Sequence, residues 1–195
     1  SKDSIIDCLG FILLKFLGPL VRLLTKGYSL FLGKLAGDIF YAFDLNLRAQ
    51  VYANIKTALG EKLNPRQLRR INRDFYRSFG QNIIEIFFIP AIDQAYINKY
   101  IEFEGFGNIA EGFKRGKGII FTAVHAGSWE LSNIISANLG FPFRMFVRGQ
   151  KFPRLEKMLN SYRRNKGCRI IEKEDELRQL LKALKSNESV AMTID

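Results

Sequence analysis

The sequence predicts an α/β fold, in which helices cover a mostly parallel or mixed sheet and a helical, membrane-associated segment precedes them. Two patterns lead to this prediction. From residue 100 onward, short apolar runs alternate with longer segments of helical periodicity, as in a parallel sheet with crossover helices. Before that, residues 5–24 are mostly apolar. Because 195 residues can bury one sizeable core, we expect a membrane-associating helix at 1–27 and one folded domain at 28–195.

Composition limits the classes of function. The hydrophobic fraction of 47% is too high for a disordered chain. The net charge of +11 predicts an anionic partner, such as nucleic acid, anionic lipid or a phosphorylated substrate. The basic stretches are not interleaved with an RNA-binding aromatic motif, and nucleic acid leaves the apolar N-terminus unexplained. We therefore expect no nucleic-acid partner.

The N-terminal segment at 5–24 has four interpretations. Asp7, Lys15, Arg22 and a Gly-Pro step interrupt its apolar run, so a straight transmembrane span competes with an interfacial or re-entrant helix. A signal peptide is a third interpretation, although no Ala-x-Ala-like cleavage site follows. The fourth is a buried helix of a soluble bundle.

Two helical stretches follow. The first, at about 28–59, keeps an apolar residue at every fourth position toward its end. The second begins at the helix-start signal Asn64-Pro65 and ends near Pro90. Its N-terminal half is strongly basic, and this is either a solvated face or a surface for anionic head groups. The residues concerned are Arg66, Arg69, Arg70, Arg73 and Arg77.

The remaining sequence alternates between strands and helices. Strands are predicted at 101–104, 118–124, 143–147, 168–171 and 189–194, and helices at 106–115, 129–139, 153–165 and 174–186. In the last helix, four leucines form one apolar stripe: Leu177, Leu180, Leu181 and Leu184. The last strand stops without a closing element, so we expect that the polypeptide lacks a C-terminal portion.

The chain's only histidine, His125, directly follows the predicted strand at 118–124. Open α/β sheets bind ligands at the carboxyl ends of their strands, so the loop after this strand is the candidate site. Gly127 leaves room for a substrate, and Ser128 is a good N-cap for the next helix. Glu130 lies in the first helical turn, where the chain can fold back and bring its carboxylate to the imidazole. The two residues would then act as general base and orienting acid.

The spacing of His125 and Glu130 does not by itself establish catalysis, because a histidine close to a glutamate also occurs by chance. A serine hydrolase is less attractive, since Ser128 lacks the Gly-x-Ser-x-Gly elbow and no second histidine exists. The two cysteines, Cys8 and Cys168, have no CxxC spacing and no other ligands cluster, so we expect no metal site.

The segment His-Ala-Gly-Ser-Trp-Glu at 125–130 resembles the His-x4-Asp/Glu motif of glycerolipid-type acyltransferases. More narrowly, it resembles the lipid A biosynthesis acyltransferases, which include lauroyl and myristoyl transferases. That family commonly has Asn where this chain has Ser128. The resemblance covers about residues 28–195 and continues through segments at 48–56, 146–148, 162–167 and 189–195.

The resemblance implies a glycerolipid-acyltransferase-like fold and a general base and partner at His125 and Glu130. The family transfers an acyl chain from acyl carrier protein or coenzyme A to a hydroxyl of a membrane glycolipid, such as a lipid A precursor in lipopolysaccharide biosynthesis. The thioester is a co-substrate, and no cofactor is expected. The resemblance also implies a set of substrate-binding residues: Arg163 and Asp195, with Arg148 as a partial match, and Gly127 and Ser128 in the loop.

Two alternatives to this function remain. One is a non-catalytic module that binds anionic membranes, and the other is an acyltransferase for a lysophospholipid or phosphatidylinositol mannoside-like acceptor. The many basic residues between 144 and 173 suit an anionic membrane surface, a phosphorylated head group or an acidic carrier protein, or form a solvated helix face. We expect the protein on the cytoplasmic face of the bacterial inner membrane.

Overall fold

The computed structural model describes residues 2–147, 149, 151–171 and 176–193. The chain forms two compact units. One unit, Pro19–Phe87, is built from helices, and the other combines helices and a sheet from the described residues on either side of it. The α/β class is as predicted, whereas the likeness to the glycerolipid acyltransferase fold stays a prediction. The division at residue 27 also stays a prediction.

The first half of the chain is helical throughout. Its four helices are α1 (Lys2–Leu23), α2 (Lys26–Phe43), α3 (Leu45–Leu59) and α4 (Pro65–Phe88). The single stretch predicted at 28–59 is therefore wrong, because α2 and α3 are separated at Asp44. This residue leaves the helical conformation, and its carboxylate accepts a hydrogen bond from the Leu47 N–H at 3.0 Å. An aspartate at such an N-cap satisfies an amide that the new helix leaves free.

The helix α1 does not break at its Gly-Pro step. It continues through Pro19 to Leu23, so this step interrupts the apolar run but does not end the helix. Proline removes one backbone donor and bends a helix without necessarily ending it. Among the described residues, Ser4–Leu23 is the one segment long and apolar enough to cross a membrane, and 17% of it is buried. Whether it spans a bilayer or lies at its surface stays a prediction.

The start of α4 confirms the Asn64-Pro65 signal. The Asn64 side-chain oxygen accepts hydrogen bonds from the N–H groups of Arg66 and Gln67, each at 3.0 Å. In return, the Gln67 side-chain oxygen accepts from the Asn64 N–H at 2.9 Å. This reciprocal capping fixes where the helix begins. The helix ends close to the predicted position and is followed by a 3₁₀ turn, Ile89–Ala91.

The second half of the chain alternates between helices and strands. The helices are α5 (Gln94–Tyr100), α6 (Phe106–Lys114), α7 (Trp129–Ala137), α8 (Pro153–Asn165) and α9 (Glu176–Lys185). The strands are β1 (Ile119–Ala123), β2 (Phe143–Phe146), β3 (Arg169–Ile171) and β4 (Ser189–Thr193).

The four strands form one parallel sheet in the order β1-β4-β2-β3. Ser189 of β4 is in register with Ile119 of β1 on one side and with Phe143 of β2 on the other. A cluster of Ile171, Ala183 and Val190 is the core between α9 and the sheet. Because all strands run in one direction, their carboxyl ends share one edge of the sheet, and the loop after β1 lies at that edge.

One predicted strand of this unit is wrong, and one helix was not predicted. Residues 101–104 form no strand, and α5, which was not predicted, ends directly before them. The leucine stripe of α9 is only partly buried. Leu180 and Leu184 pack against the core cluster, whereas Leu177 is 68% exposed and Leu181 is 48% exposed.

Candidate active site

His125 lies in the loop that joins β1 to α7. Its side chain is exposed, and its ring meets the Trp129 indole edge-to-face, with 5.9 Å between ring centroids. Gly127 has a φ of +62°, a conformation that glycine adopts without strain. The loop can therefore turn sharply and present the imidazole at the carboxyl edge of the sheet.

Glu130 forms a buried ion pair with Arg163. The Arg163 Nε donates to the Glu130 Oε1 at 2.6 Å, and its Nη2 donates to Oε2 at 2.7 Å. Both side chains are less than 10% exposed. The Arg163 Nη1 donates to the Asn160 side-chain oxygen at 2.7 Å, so all three guanidinium nitrogens have protein acceptors. Such a two-pronged bond fixes the carboxylate in position and links α7 to α8.

The charge of Glu130 also acts on Cys168. The thiol is buried, and burial, followed by the nearby Glu130 carboxylate, raises the pKa of Cys168 to about 12. A thiol with this pKa is protonated at neutral pH and is a poor nucleophile. The cysteine beside the site is therefore a packing residue.

A cavity of about 260 Å³ opens next to the histidine loop. It lies between the carboxyl ends of three strands and the first turns of α7, and most of its lining residues are apolar, although polar atoms form about half of its surface. Two polar side chains, Ser132 and Asn133, project from α7 into the lining. The remaining lining residues are Ala123, Val124, Ala126, Trp129, Met145, Phe146, Ala191 and Met192.

A comparison with protein families matches residues 4–195 to the family described as bacterial lipid A biosynthesis acyltransferase. The match spans nearly the whole chain. The chain belongs to this family. The predicted family is thereby confirmed, and family membership supports acyl transfer to a lipid. A search of curated proteins returned no match.

The structure describes four of the six other residues that were predicted for the acyltransferase site. Gly127 and Ser128 lie in the loop after β1, and their contact with a substrate stays a prediction. Ser128 is the N-cap of α7, but its hydroxyl makes no capping bond; its carbonyl oxygen instead accepts from the Ser132 N–H at 3.0 Å. Glu130 and Arg163 are described above. Arg148 and Asp195 lie outside the described residues.

The partnership of Glu130 and Arg163 was not predicted. The sequence assigned Arg163 to substrate binding and Glu130 to His125, and both assignments stay predictions. The two paired residues are 33 positions apart on different helices, so no spacing along the chain connects them. Trp129 borders both the imidazole and the cavity.

Some of the basic side chains in the stretch at 144–173 bind groups from elsewhere in the chain. Arg144 and Arg169 both bind the Glu188 carboxylate, and the bond from Arg144 chiefly lowers the pKa of Glu188. The Lys166 ammonium donates to the Ile92 carbonyl. These cations support the fold, so a smaller group remains to attract anionic lipid. Among the described residues, no three His, Cys, Asp or Glu side chains form a potential metal cluster.

Proposed function

We propose that this acyltransferase moves a fatty acyl chain from a thioester of acyl carrier protein or coenzyme A to a hydroxyl of a membrane glycolipid resembling a lipid A precursor. The observation that carries the proposal is the buried Glu130 carboxylate, which Arg163 fixes in the first turn of α7, five residues after the exposed loop histidine. Family membership supports the reaction class and the lipid acceptor.

In the proposed reaction, the His125 imidazole takes the proton of the acceptor hydroxyl as its oxygen attacks the thioester carbonyl. A tetrahedral intermediate forms, its C–S bond breaks, and the imidazolium returns the proton to the departing thiolate. The products are an ester and a free thiol. No covalent acyl-enzyme is required.

Glu130 serves this reaction as the acid partner of the histidine. A carboxylate has about four acceptor positions, so bonds from Arg163 leave room for one from the imidazole. Its fixed negative charge favours the imidazolium that forms during transfer. N–H groups at the start of α7 point toward the loop and are suited to stabilise the developing oxyanion.

The cavity at the same edge of the sheet supports the binding of an acyl chain. Val124, Met145, Phe146 and Met192 in its lining offer dispersion contacts to methylene groups. We propose that the donor's carbonyl-proximal methylenes enter it, while the carrier's thioester remains near His125. We propose that the protein attaches to the cytoplasmic face of the inner membrane; the exposed apolar side chains of α1 support the membrane association.

Mass spectrometry of cellular lipids tests this function. Extracts of bacteria with and without the gene should differ by one acyl chain on a glycolipid, and the mass would identify acceptor and chain length. A copy with His125→Ala, expressed at the same level, should not restore the heavier lipid. Identical lipids with and without the gene, or full restoration by His125→Ala, would contradict the proposal.

A further inference from the structure

The helix α2 packs with its small residues inward. Its buried positions are Ser29, Gly33 and Gly37, and the two glycines face α4. A Cβ on Gly37 would lie 2.3 Å from the Tyr76 carbonyl oxygen, and one on Gly80 would lie 2.1 Å from the Gly33 carbonyl oxygen. The two backbones are therefore in direct contact, as in helix pairs within membranes.

The opposite face of α2 carries the large apolar side chains. Tyr28 is 69% exposed, Phe31 is 61% exposed and Phe43 is 82% exposed. Along this helix, which the structure describes in full, Lys34 is the one charged side chain among the exposed positions. In water, a helix buries such residues and exposes its polar ones, so this face suits an apolar environment. The other large residues on it are Leu32, Leu35, Ile39 and Phe40.

A pocket of about 450 Å³ lies at the carboxyl end of this helix, in the same compact unit. Arg48 and Arg69 supply positive charge to its lining, and Tyr41 and Tyr52 supply aromatic walls. None of the lining residues is acidic. The acid nearest in sequence, Asp44, uses its carboxylate to cap α3. The pocket is therefore a cationic site beside an apolar face.

The two arginines that line this pocket can bind an anion. The Arg48 guanidinium stacks on the Tyr41 ring at 5.1 Å, and its Nη1 donates to the Tyr41 carbonyl at 3.0 Å, which holds it in place. Its other N–H groups have the geometry to grip a phosphate. Arg69 is exposed on α4. Within the described part of the chain, it forms no ion pair.

A buried amide oxygen gives independent evidence for a ligand. Asn72 lines the pocket and is 1% exposed. Its amide group donates to the Arg48 carbonyl at 2.9 Å, but its side-chain oxygen has no donor among the residues that the structure describes. A buried acceptor without a partner is costly. A hydroxyl or water held by a bound head group would satisfy it.

We propose that this unit binds the phosphate of an anionic membrane lipid. Arg48 and Arg69 hold the phosphate, and the lipid's acyl chains lie along the exposed face of α2 near Phe40 and Phe43. An apolar face that runs into a cationic pocket matches a molecule with an apolar and a phosphorylated end. None of the candidate catalytic residues belongs to this unit, so the proposal does not depend on chemistry at His125.

Native mass spectrometry of the full chain in detergent tests this site. Two lipids with the same acyl chains, dioleoylphosphatidic acid and dioleoylglycerol, differ only by the phosphate. We expect the phosphorylated lipid to bind about tenfold more tightly or better, as charge-assisted hydrogen bonds predict. Equal binding of the two lipids would overturn the proposal, as would a lipid-free dimer, which would mean that a second copy covers α2.

Matched variants separate the pocket from general surface charge. Arg69→Gln should remove the preference for the phosphorylated lipid, and Arg69→Lys should restore part of it. Arg66→Gln deletes the same charge one helical turn earlier, outside the lining, and should change binding less than about threefold. Equal losses for Arg66→Gln and Arg69→Gln would show diffuse attraction and overturn the proposal.

The acyl side of the site needs its own control. Phe43→Ser should weaken the binding of dioleoylphosphatidic acid, and millimolar inorganic phosphate should compete poorly with the lipid. Two results together would mean that the pocket is a site for free phosphate: inorganic phosphate displaces the lipid fully, and Phe43→Ser leaves lipid binding unchanged. That combination would contradict a lipid ligand.

Discussion

The buried Glu130 carboxylate interacts with two neighbouring side chains, Arg163 and Cys168. Desolvating a carboxylate costs several kcal/mol unless it is paired, and Arg163 supplies two charge-assisted bonds. The charge that results contributes to the raised pKa of Cys168. We expect the same charge to stabilise the imidazolium of His125. We therefore expect the pair both to stabilise the fold and to influence the electrostatics of the loop.

Replacing Arg163 should destabilise the folded protein, because the buried Glu130 carboxylate would lose its partner. Arg163→Met is expected to lower the free energy of unfolding by about 3–5 kcal/mol, because the Glu130 carboxylate stays buried without its partner. Urea denaturation measures this change. Arg154→Met, on the exposed side of the same helix, should change it by about 0.5 kcal/mol or less. Similar losses for both variants would mean that the ion pair has no special part in stability.

The two cysteines should differ in reactivity. Cys168 is 3% exposed and burial raises its pKa to about 12, whereas Cys8 is only half-buried. Iodoacetamide at pH 8 should therefore alkylate Cys8 and spare Cys168 until the protein is denatured, as read by peptide mass spectrometry. Between about pH 9 and pH 12, the Cys168 thiol ionises in the unfolded chain but stays protonated in the folded protein. Its contribution should therefore lower the free energy of unfolding as the pH rises through this range. Alkylation of both cysteines at equal rates in the native protein would contradict this assignment.

At the scale of elements, α2 and α4 are joined by close backbone contact and by an ion pair. Asp38 of α2 accepts from Arg77 at 2.8 and 3.0 Å and from Arg73 at 2.7 Å. These bonds, led by that of Arg77, lower the pKa of Asp38 to about 2. The basic run of α4 is thus partly paired, which the sequence alone did not indicate.

Alanine substitutions at two glycines of α2 should have opposite effects. Gly37→Ala should cost about 1–3 kcal/mol of unfolding free energy, since its Cβ would meet the Tyr76 carbonyl at 2.3 Å. Gly27→Ala should stabilise by up to about 1 kcal/mol, because nothing lies within 4 Å of its Cβ and alanine is the better helix former. Thermal or urea unfolding measures both. A neutral Gly37→Ala would mean that the helices are not in contact.

The N-terminal helix α1 caps α8 across 147 residues of sequence. The buried Asp7 carboxylate accepts from the N–H groups of Arg154 and Leu155 at 3.1–3.2 Å. Asp7→Ala should cost about 0.5–2 kcal/mol of unfolding free energy, and Asp7→Asn should cost less, because the amide oxygen can still accept. If Asp7→Ala is as stable as wild type, the carboxylate does not cap α8.

Local patterns predicted most of these elements. Apolar alternation and helical periodicity located β1 to β4 and α6 to α9, and the Asn64 cap located the start of α4. The break at Asp44 was missed because the apolar spacing runs on across it. Periodicity located the leucine stripe of α9 but does not show how much of it another element covers. Arg163 and Glu130 were both identified, but their pairing depends on how α7 and α8 pack, which no local pattern encodes.

In the whole molecule, some of the basic side chains behind the net charge of +11 form ion pairs within the fold. Glu130, Asp38 and Glu188 together bind five arginines that a count along the sequence would leave free. Exposed apolar side chains occur on both α1 and α2. We therefore expect two helices, rather than the N-terminal segment alone, to hold this acyltransferase at the membrane.

The central claim is that His125 is the base for acyl transfer. Its most direct test is the rate of transfer from an acyl carrier protein thioester to a lipid acceptor by purified wild-type protein and His125→Ala. The exposed ring contributes little to packing, so the variant should unfold at the same urea concentration while its rate falls about 10²–10⁴-fold. A folded His125→Ala protein that transfers acyl chains within about twofold of the wild-type rate would contradict the claim.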